Sequence, residues 1–360
     1  MAIITPRLGP APQSEGDVWR VGRAVGAKFA GTAFELSIAL GAEARRLQAL
    51  MQGFDVVHCH AIWTPVLPMQ ALLASGAASV ATVHDTPPDT AVGAFARNVI
   101  PHVSRMVLPL FDRVVTVSAA PRAHLRPAPG QSISIIPPCT DLSRFTASSP
   151  RSRTEDEAPT ILFLGRLEPR KGCGLLLEAY RRLCAEGLKV RLVIVGGGAE
   201  EPSLRRKAAE HGLQDVVFTG RLPDEEALQH YADCDIFCAP APYGESFGIV
   251  IAEAMSAGKP VVAAANPGYS TVLAGEEAGR LTTPGDAGAL HRALRELVLD
   301  PGLRRRLGER GKAEAVQYDC RAVAPRLLAV YREAILAHDA RDRRRRFGGL
   351  VATTDEPVGL

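Results

Sequence analysis

The stretch "DIFCAPAPYGESFGIVIAEAMSAGKPVVAAA", residues 235–265, reads in turn as strand, loop, helix and strand. "DIFCAP" is an apolar run of strand length, ended by the Gly and Pro of "APYGES". A helix is expected from Phe247 or Gly248 through about Ala257, because Gly258 closes it and Pro260 stops it. "PVVAAA" then resumes a buried strand. Strand, helix and strand in this order are the repeating unit of a parallel sheet covered by helices. The helix is apolar nearly all round, so it should be buried between the sheet and its neighbours. Two carboxylates interrupt the otherwise nearly uncharged run: Glu245 in the loop and Glu253 inside the helix.

The same alternation extends outward. "TILFLGRL", "KVRLVIVGGG" and "DVVFTG" precede the opening stretch, each long enough to cross a sheet and each followed by a turn signal, so the second half is a doubly wound α/β domain. In the first half "AIIT", "FDVVHCH", "SVATVHD", "RVVTVSAA" and "SISIIPP" alternate with Ala- and Leu-rich segments, which predicts a second parallel sheet wrapped by helices. Between them "TASSPRSRTEDEAPT", residues 146–160, is polar and Pro-punctuated, as an exposed connection is. The expected division is residues 1–150, residues 151–322, a helix over 323–345 packing back toward the first domain, and a mobile tail over 346–360 that includes part of the basic run "RDRRRR". Open α/β sheets bind ligands beyond the carboxyl ends of their strands, so two such edges would face each other across a cleft.

Composition narrows the function classes. The chain has 360 residues, 46% of them hydrophobic and 22% charged, which describes a globular α/β protein of two domains. A net charge of +3 with interspersed signs makes no case for nucleic acid. Seven cysteines without a paired CxxC pattern fit a reduced, cytoplasmic setting. Cys234 and Cys238 in "CDIFC" read as small hydrophobes of a buried strand, so no metal site is assigned. No apolar run reaches the length of a membrane-spanning helix. "VGGGAEE", residues 195–201, lacks the third glycine of a dinucleotide fingerprint, and NAD is not expected.

Chemistry is expected in the loops that come after strands. After the strand Ile161–Leu164, Gly165 opens a loop carrying Arg166 and Lys171. Two cations there suit a diphosphate, which Arg grips bidentately and Lys neutralises as a point charge. A solvated basic turn would look the same in isolation. The opening stretch adds a helix N-terminus whose free backbone N–H groups attract phosphate and donate to hydroxyls. Gly248 would let a ligand approach closely. Glu245 would accept from a polyhydroxylated group, and Glu253, two turns along, would reach a diol. The plainer alternatives are a carboxylate placed near a helix start, for Glu245, and a buried carboxylate satisfied by protein partners, for Glu253.

Taken together, "GRLEPRKG", "GESFGIVIAEAMSAGKPVV" with its E-x7-E spacing, "FDVVHCH", "VATVHDT" and "YDCRAVAPRLLAVYREA" resemble the retaining glycosyltransferases of family 4, of GT-B architecture, and within them the phosphatidylinositol mannosyltransferase branch. The resemblance spans nearly the whole chain. It implies that Arg166 and Lys171 hold the donor diphosphate and stabilise the leaving nucleotide, and that Glu245 contacts the transferred sugar. Gly165, Leu222, Ser246, Phe247, Gly248 and Ile249 would line the donor, Glu253 would bind the ribose diol, and His84 would stand beside the reacting sugar. It further implies a UDP-sugar or GDP-mannose donor, a hydroxyl acceptor of the lipid or small-molecule kind, no divalent metal, and at most weak contact with the inner face of a membrane. Within that contact, Arg45 and Arg46 are the basic residues of the helix expected over 41–53.

Against the family pattern, the N-terminal segment resembles the second strand and its succeeding loop, so a first βα unit of on the order of 35 to 40 residues is expected to be missing. "IIPPCTDLSRF" keeps only Asp141 of the usual interdomain Asn-Gly-Val-Asp, and Cys320 stands where an aromatic often comes after Tyr-Asp. Two other function classes fit parts of the pattern. A non-catalytic nucleotide-sugar-binding protein would bind donor without releasing nucleotide diphosphate, and a sugar-nucleotide epimerase would keep the sugar on its nucleotide.

Overall fold

The structure is a computed structural model, and it describes residues 1–7, 14–29, 32–60, 62, 66–87, 91–147, 157–274 and 277–347. The chain divides by its internal contacts into two compact units. The first comprises Met1–Val117, Pro121–Ile136 and the segment from Pro325, and the second comprises Ser118–Ala120 and Pro137–Ala324. Part of the polar connection expected over 146–160 falls at 148–156, outside the described residues, as does the end of the expected tail, 348–360.

The first unit contains β1 (Ile3–Arg7), β2 (Ser14–Glu15), β3 (Val18–Phe29), β4 (Thr32–Ile38), α1 (Ala42–Met51), β5 (Val56–His60), α2 (Val66–Ala74), β6 (Ala78–Val83), α3 (Ala91–Val107), β7 (Arg113–Thr116) and β8 (Ile133–Ile135), while the short α4 (Ala119–Arg122) straddles the division. β5, β6, β7 and β8 lie side by side in chain order, and every neighbouring pair is parallel. β6 is buried along its whole length. That is what a central parallel strand covered on both faces requires.

The N-terminal segment departs from the expected parallel sheet. β1 to β4 form a four-stranded sheet of their own, in which β1 runs parallel to β3 while β2 and β4 run antiparallel to it. Only two residues separate β3 from β4, too few for the crossover that a parallel pair needs, so the chain folds back from Phe29↔Thr32 to Arg23↔Ile38. The core beneath draws on Val21, Leu47, Met51, Val57, Leu67 and Val114.

The second unit holds α5 (Ser143–Ala147), β9 (Thr160–Leu164), α6 (Cys173–Ala185), β10 (Arg191–Val195), α7 (Glu201–Glu210), β11 (Val216–Gly220), α8 (Asp224–Asp233), β12 (Ile236–Ala239), α9 (Ile249–Ser256), β13 (Val261–Ala264), α10 (Tyr269–Val272), β14 (Gly279–Thr282), α11 (Ala287–Leu299) and α12 (Pro301–Ala315). Its six strands are all parallel, in the order β11-β10-β9-β12-β13-β14. Numbered from β9, this is the doubly wound order 3-2-1-4-5-6, and its switch point lies between β9 and β12. Both cysteines of the expected strand are buried and form no disulfide, but only Cys238 lies in β12, whereas Cys234 caps the end of α8.

The last helix, α13 (Cys320–Phe347), spans the helix expected over 323–345 and runs three residues before it and two beyond, so the basic run lies on the helix. A buried carboxylate of the first unit holds the basic part of this helix. Asp112 accepts hydrogen bonds from Ser79 N at 2.9 Å and Ser79 Oγ at 3.0 Å, Arg341 pairs with it at 3.1 Å, and His338 Nδ1 lies 3.4 Å away. One-sided removal of such a partner leaves the others desolvated and unpaired. Replacing Asp112 by Ala is therefore expected to lower the unfolding free energy by about 2–3 kcal/mol, read from urea denaturation, whereas an exposed control on the same helix such as Asp339→Ala should change it little.

Candidate active site

The loops after β9 and β12 leave the two strands that flank the switch point, and their side chains interlock. Lys171 Nζ bonds Glu245 Oε1 at 2.7 Å. Arg170 Nη1 reaches the Gly244 carbonyl at 3.3 Å and Glu245 Oε1 at 3.5 Å, while its Nε bonds Glu168 at 3.2 Å. Arg166 Nη1 completes the chain at 3.0 Å from the other oxygen of Glu168. Glu245, Lys171 and Arg170 are largely buried, whereas Arg166 is exposed. The result is three cations against two carboxylates, a local excess of positive charge beside a sheet edge.

Backbone packing holds these loops in place. Leu167 N donates to the Gly197 carbonyl at 3.1 Å, and Glu200 N donates to the Leu167 carbonyl at 3.0 Å. At Gly196, where φ is +130°, a Cβ would stand 1.9 Å from the Gly165 carbonyl oxygen. The glycine run that resembles a dinucleotide motif is thus explained by two loops approaching backbone to backbone. On the other strand, Asn266 Oδ1 accepts from Tyr269 N at 2.9 Å and Asn266 Nδ2 donates to the Ala241 carbonyl at 2.8 Å. Ser118 Oγ donates to the Ser246 carbonyl.

α9 begins where the sequence predicts, with Gly248 as its N-cap at φ +100°. A side chain at this position would meet the Tyr269 ring at 2.6 Å, so protein packing already accounts for the glycine that was expected to admit a ligand. Phe247 is buried edge-on against Tyr318, and Ile249 is exposed in the first turn. The first N–H groups of α9 have no acceptor within the helix, as at every helix start. Glu253 does not stand alone: Tyr231 Oη donates to it at 2.7 Å. Desolvation still raises its carboxyl above the ordinary range, partly opposed by that hydrogen bond. Leu222 is half-buried just after β11.

In the first unit, three histidines gather at the ends of β5 and β6. His58 Nδ1 lies 2.8 Å from Tyr331 Oη and its Nε2 lies 2.6 Å from Thr82 Oγ1. His60 Nδ1 lies 2.7 Å from His84 Nε2. Burial first, and then the charges of His60 and His84, push His58 down to about 3. Burial and His84 push His60 down to about 4, and burial lowers His84.

The structure thus brings Gly165, Arg166, Lys171, Glu245, Ser246, Phe247, Gly248 and Ile249 onto the two switch-point loops, with Glu253 farther along α9, and places His84 in the histidine cluster of the other unit. Sequence reading passed over Arg170, Glu168, Tyr231 and Asn266. Arg170 stands inside the quoted "GRLEPRKG", and "NPG" at 266–268 is a turn signal. Tyr231 carries no such mark. Among the described residues, one close group of potential metal ligands is Asp141, Asp319 and Cys320. Its carboxylates are engaged by the protein, Asp319 with Arg321 at 2.7 Å and Leu142 N at 3.1 Å, and Asp141 with Ser143 N at 3.0 Å.

Comparison with known proteins agrees with this layout. The family model "Glycosyltransferase Family 4" matches residues 1–144, and "Glycosyl transferases group 1" matches residues 145–314. A phosphatidyl-myo-inositol mannosyltransferase of Mycolicibacterium smegmatis is 34% identical over 280 residues, covering 77% of this chain and 71% of that protein. Among solved structures, a sucrose-phosphate synthase from Thermosynechococcus elongatus is similar with a TM-score of 0.70 at 22% identity, covering 93% of this chain and 88% of that one. HepE of Anabaena, solved with UDP and glucose, has a TM-score of 0.67 at 21% identity and 80% of each chain covered. The fold is that of the GT-B glycosyltransferases.

The depressed histidines set a pH dependence for stability. His58 is neutral in the fold down to about pH 3, whereas in the unfolded chain it takes up a proton near its ordinary value of 6.5. Between those values the unfolded state binds more protons, so stability is fully present above about pH 6.5 and is lost as pH falls. Thermal melts from pH 7 to pH 4 should show His58→Asn declining less steeply than the wild type, by on the order of 1–2 kcal/mol at pH 5.

Proposed function

The chain belongs to the family 4, group 1 glycosyltransferases, and from that premise we propose that it moves a hexosyl group, mannosyl or glucosyl, from a nucleotide diphosphate sugar to a hydroxyl acceptor with retained anomeric configuration. The observation that carries the reading is the Lys171–Glu245 pair, which ties the cationic loop after β9 to the loop that starts α9 at the sheet's switch point. Doubly wound sheets take nucleotides at this place.

Charge builds up on the departing diphosphate as the sugar bond breaks. Lys171, Arg166 and the first N–H groups of α9 would stabilise it, with each donor contributing about 10²–10³ in rate. Arg170 is tied to Gly244 and Glu245, so it orients the loop. Glu245 holds Lys171 through one oxygen, which leaves the other as an acceptor for a sugar hydroxyl. Gly165, Ser246, Phe247 and Ile249 would line the donor through their backbone, and Leu222 would border the base. Glu253, held by Tyr231 on one oxygen, would accept from the ribose with the other. Cations already supply the electrostatic stabilisation of the leaving group, so no divalent metal is invoked. His84 would stand beside the transferred sugar.

The acceptor of the mannosyltransferase relative is, by its name, a phosphatidylinositol, and α3 supports a lipid acceptor here. Phe95, Val99, Val103 and Met106 are exposed on this helix, with Leu110 just beyond its end. At 100° per residue these positions fall on one stripe, separate from the face that carries buried Gly93 and Ser104. Residues 91–111 include Arg97, His102 and Arg105 and no carboxylate. An apolar stripe with cations and no acids fits the surface of an anionic bilayer. α1 fits it less well, because Arg46 lies over the Trp19 ring at 5.4 Å. No described helix is long and apolar enough to cross a membrane.

A panel of nucleotide diphosphate sugars scored by protection against thermal unfolding tests the donor site. One base class, from GDP-mannose or UDP-glucose, should raise the melting temperature of the wild type, and Lys171→Ala and Glu253→Ala should abolish the shift; variants that respond like the wild type would remove the assigned pocket. Release of nucleotide diphosphate then separates a transferase from a binding protein, and Arg166→Ala should slow it by about 10²-fold. For the membrane surface, the double variant Phe95→Asp, Met106→Asp should lose co-sedimentation with phosphatidylglycerol vesicles while keeping its nucleotide protection. Equal recovery of wild type and variant with the vesicles would exclude α3 as the contact.

A further inference from the structure

His60 ends β5, and His84 comes one residue after β6; the two strands are parallel, with His60 opposite Thr82. His60 Nδ1 and His84 Nε2 are 2.7 Å apart, and the rings stack with centroids 5.0 Å apart and planes 27° from parallel. Two ring nitrogens at this distance must have one proton between them, since two lone pairs or two N–H groups would repel. With Nε2 committed to that bond, Nδ1 is the one nitrogen His84 has to offer, and among the described residues no hydrogen bond reaches it.

We propose that His60 is a positioning residue for His84: the single proton shared between His60 Nδ1 and His84 Nε2 holds the His84 ring in one tautomer and one orientation, with Nδ1 presented to a hydroxyl of the transferred sugar. This rests on the reading of His84 as the residue beside that sugar. An imidazole without such an anchor can turn about its Cβ–Cγ bond and put a carbon where the nitrogen was. The stacking of the two rings and their shared proton oppose that turn. His58 anchors separately, to Thr82 and Tyr331, so its two nitrogens are used and it cannot replace His60 in this role.

The experiment compares His60→Ala, His60→Asn and His84→Ala, using whichever of GDP-mannose and UDP-glucose protects the wild type and reading both release of nucleotide diphosphate and the ¹⁵N resonances of labelled histidine. His60→Ala should lower kcat by about tenfold with less than a twofold change in donor KM. His60→Asn, whose carboxamide occupies the place of Nδ1, should recover most of the loss. His84 should show two well-separated ring-nitrogen shifts in the wild type and in His60→Asn, and converging shifts in His60→Ala. His60 stands at its strand end with one side of its ring in solvent and the other against His58 and His84, so the Ala variant should keep nucleotide protection with a melting temperature little changed. A wild-type kcat in His60→Ala, an Asn variant no better than Ala, or unchanged His84 shifts would overturn the proposal. Full activity in His84→Ala would instead remove the functional reading of His84, and the nitrogen shifts would still decide whether His60 sets its tautomer.

Discussion

Glu245 accepts from two cations that reach it from a different strand loop, and the candidate donor site depends on that one carboxylate. Lys171 and Arg170 descend from the end of β9, while Glu245 lies on the segment leading from β12 into α9. At a switch point the helices after the two central strands go to opposite faces, so nothing in the sheet itself joins these loops. The ion pair does. Its partners are largely buried, where a charge without a partner costs several kcal/mol, so each side chain restricts the other to one geometry.

Glycines let the segments around that pair pack closely, and at Gly172, next to Lys171, a Cβ would stand 2.3 Å from the Pro240 carbonyl oxygen just beyond β12. Gly196 allows the loop after β10 to lie on the Gly165 carbonyl, and Gly248 allows α9 to start against Tyr269. The conformational freedom of these residues is used at the moment of packing and is then lost. The product is a stiff set of loops carrying more positive than negative charge. Electrostatic catalysis favours such a site, because its dipoles and charges need not reorganise when the leaving group departs.

The first unit solves a different problem with histidines. Three imidazoles within a few ångströms cannot all be charged, and burial already disfavours the charged form. The cluster resolves this by remaining neutral and distributing its nitrogens among Tyr331, Thr82 and one another. Asp112 shows a different solution in the same unit: its buried carboxylate accepts from Ser79 and pairs with Arg341 on α13.

The strands of the first parallel sheet, five of the six in the second, the bounds of α9 and the cations Arg166 and Lys171 just after β9 were legible in the sequence, because each is a local matter of apolar runs, Gly and Pro punctuation, and charges placed just after strands; β14 and the Lys171–Glu245 pair were not. The β3–β4 hairpin was missed, since a strand read alone does not state the direction of its neighbour; the two-residue connection that forbids a crossover is informative only once both strands are recognised. The partner of Arg341 was missed for a related reason: a run of arginines looks solvated until the buried Asp112, more than 200 positions away, stands beside it. Likewise the sequence could place Glu253 inside an apolar helix but not Tyr231 beside it. Periodicity and spacing determine what each segment is. Which distant side chains share a proton or form an ion pair is decided only when the chain brings them within about 3–3.5 Å, because hydrogen bonds weaken steeply beyond that range.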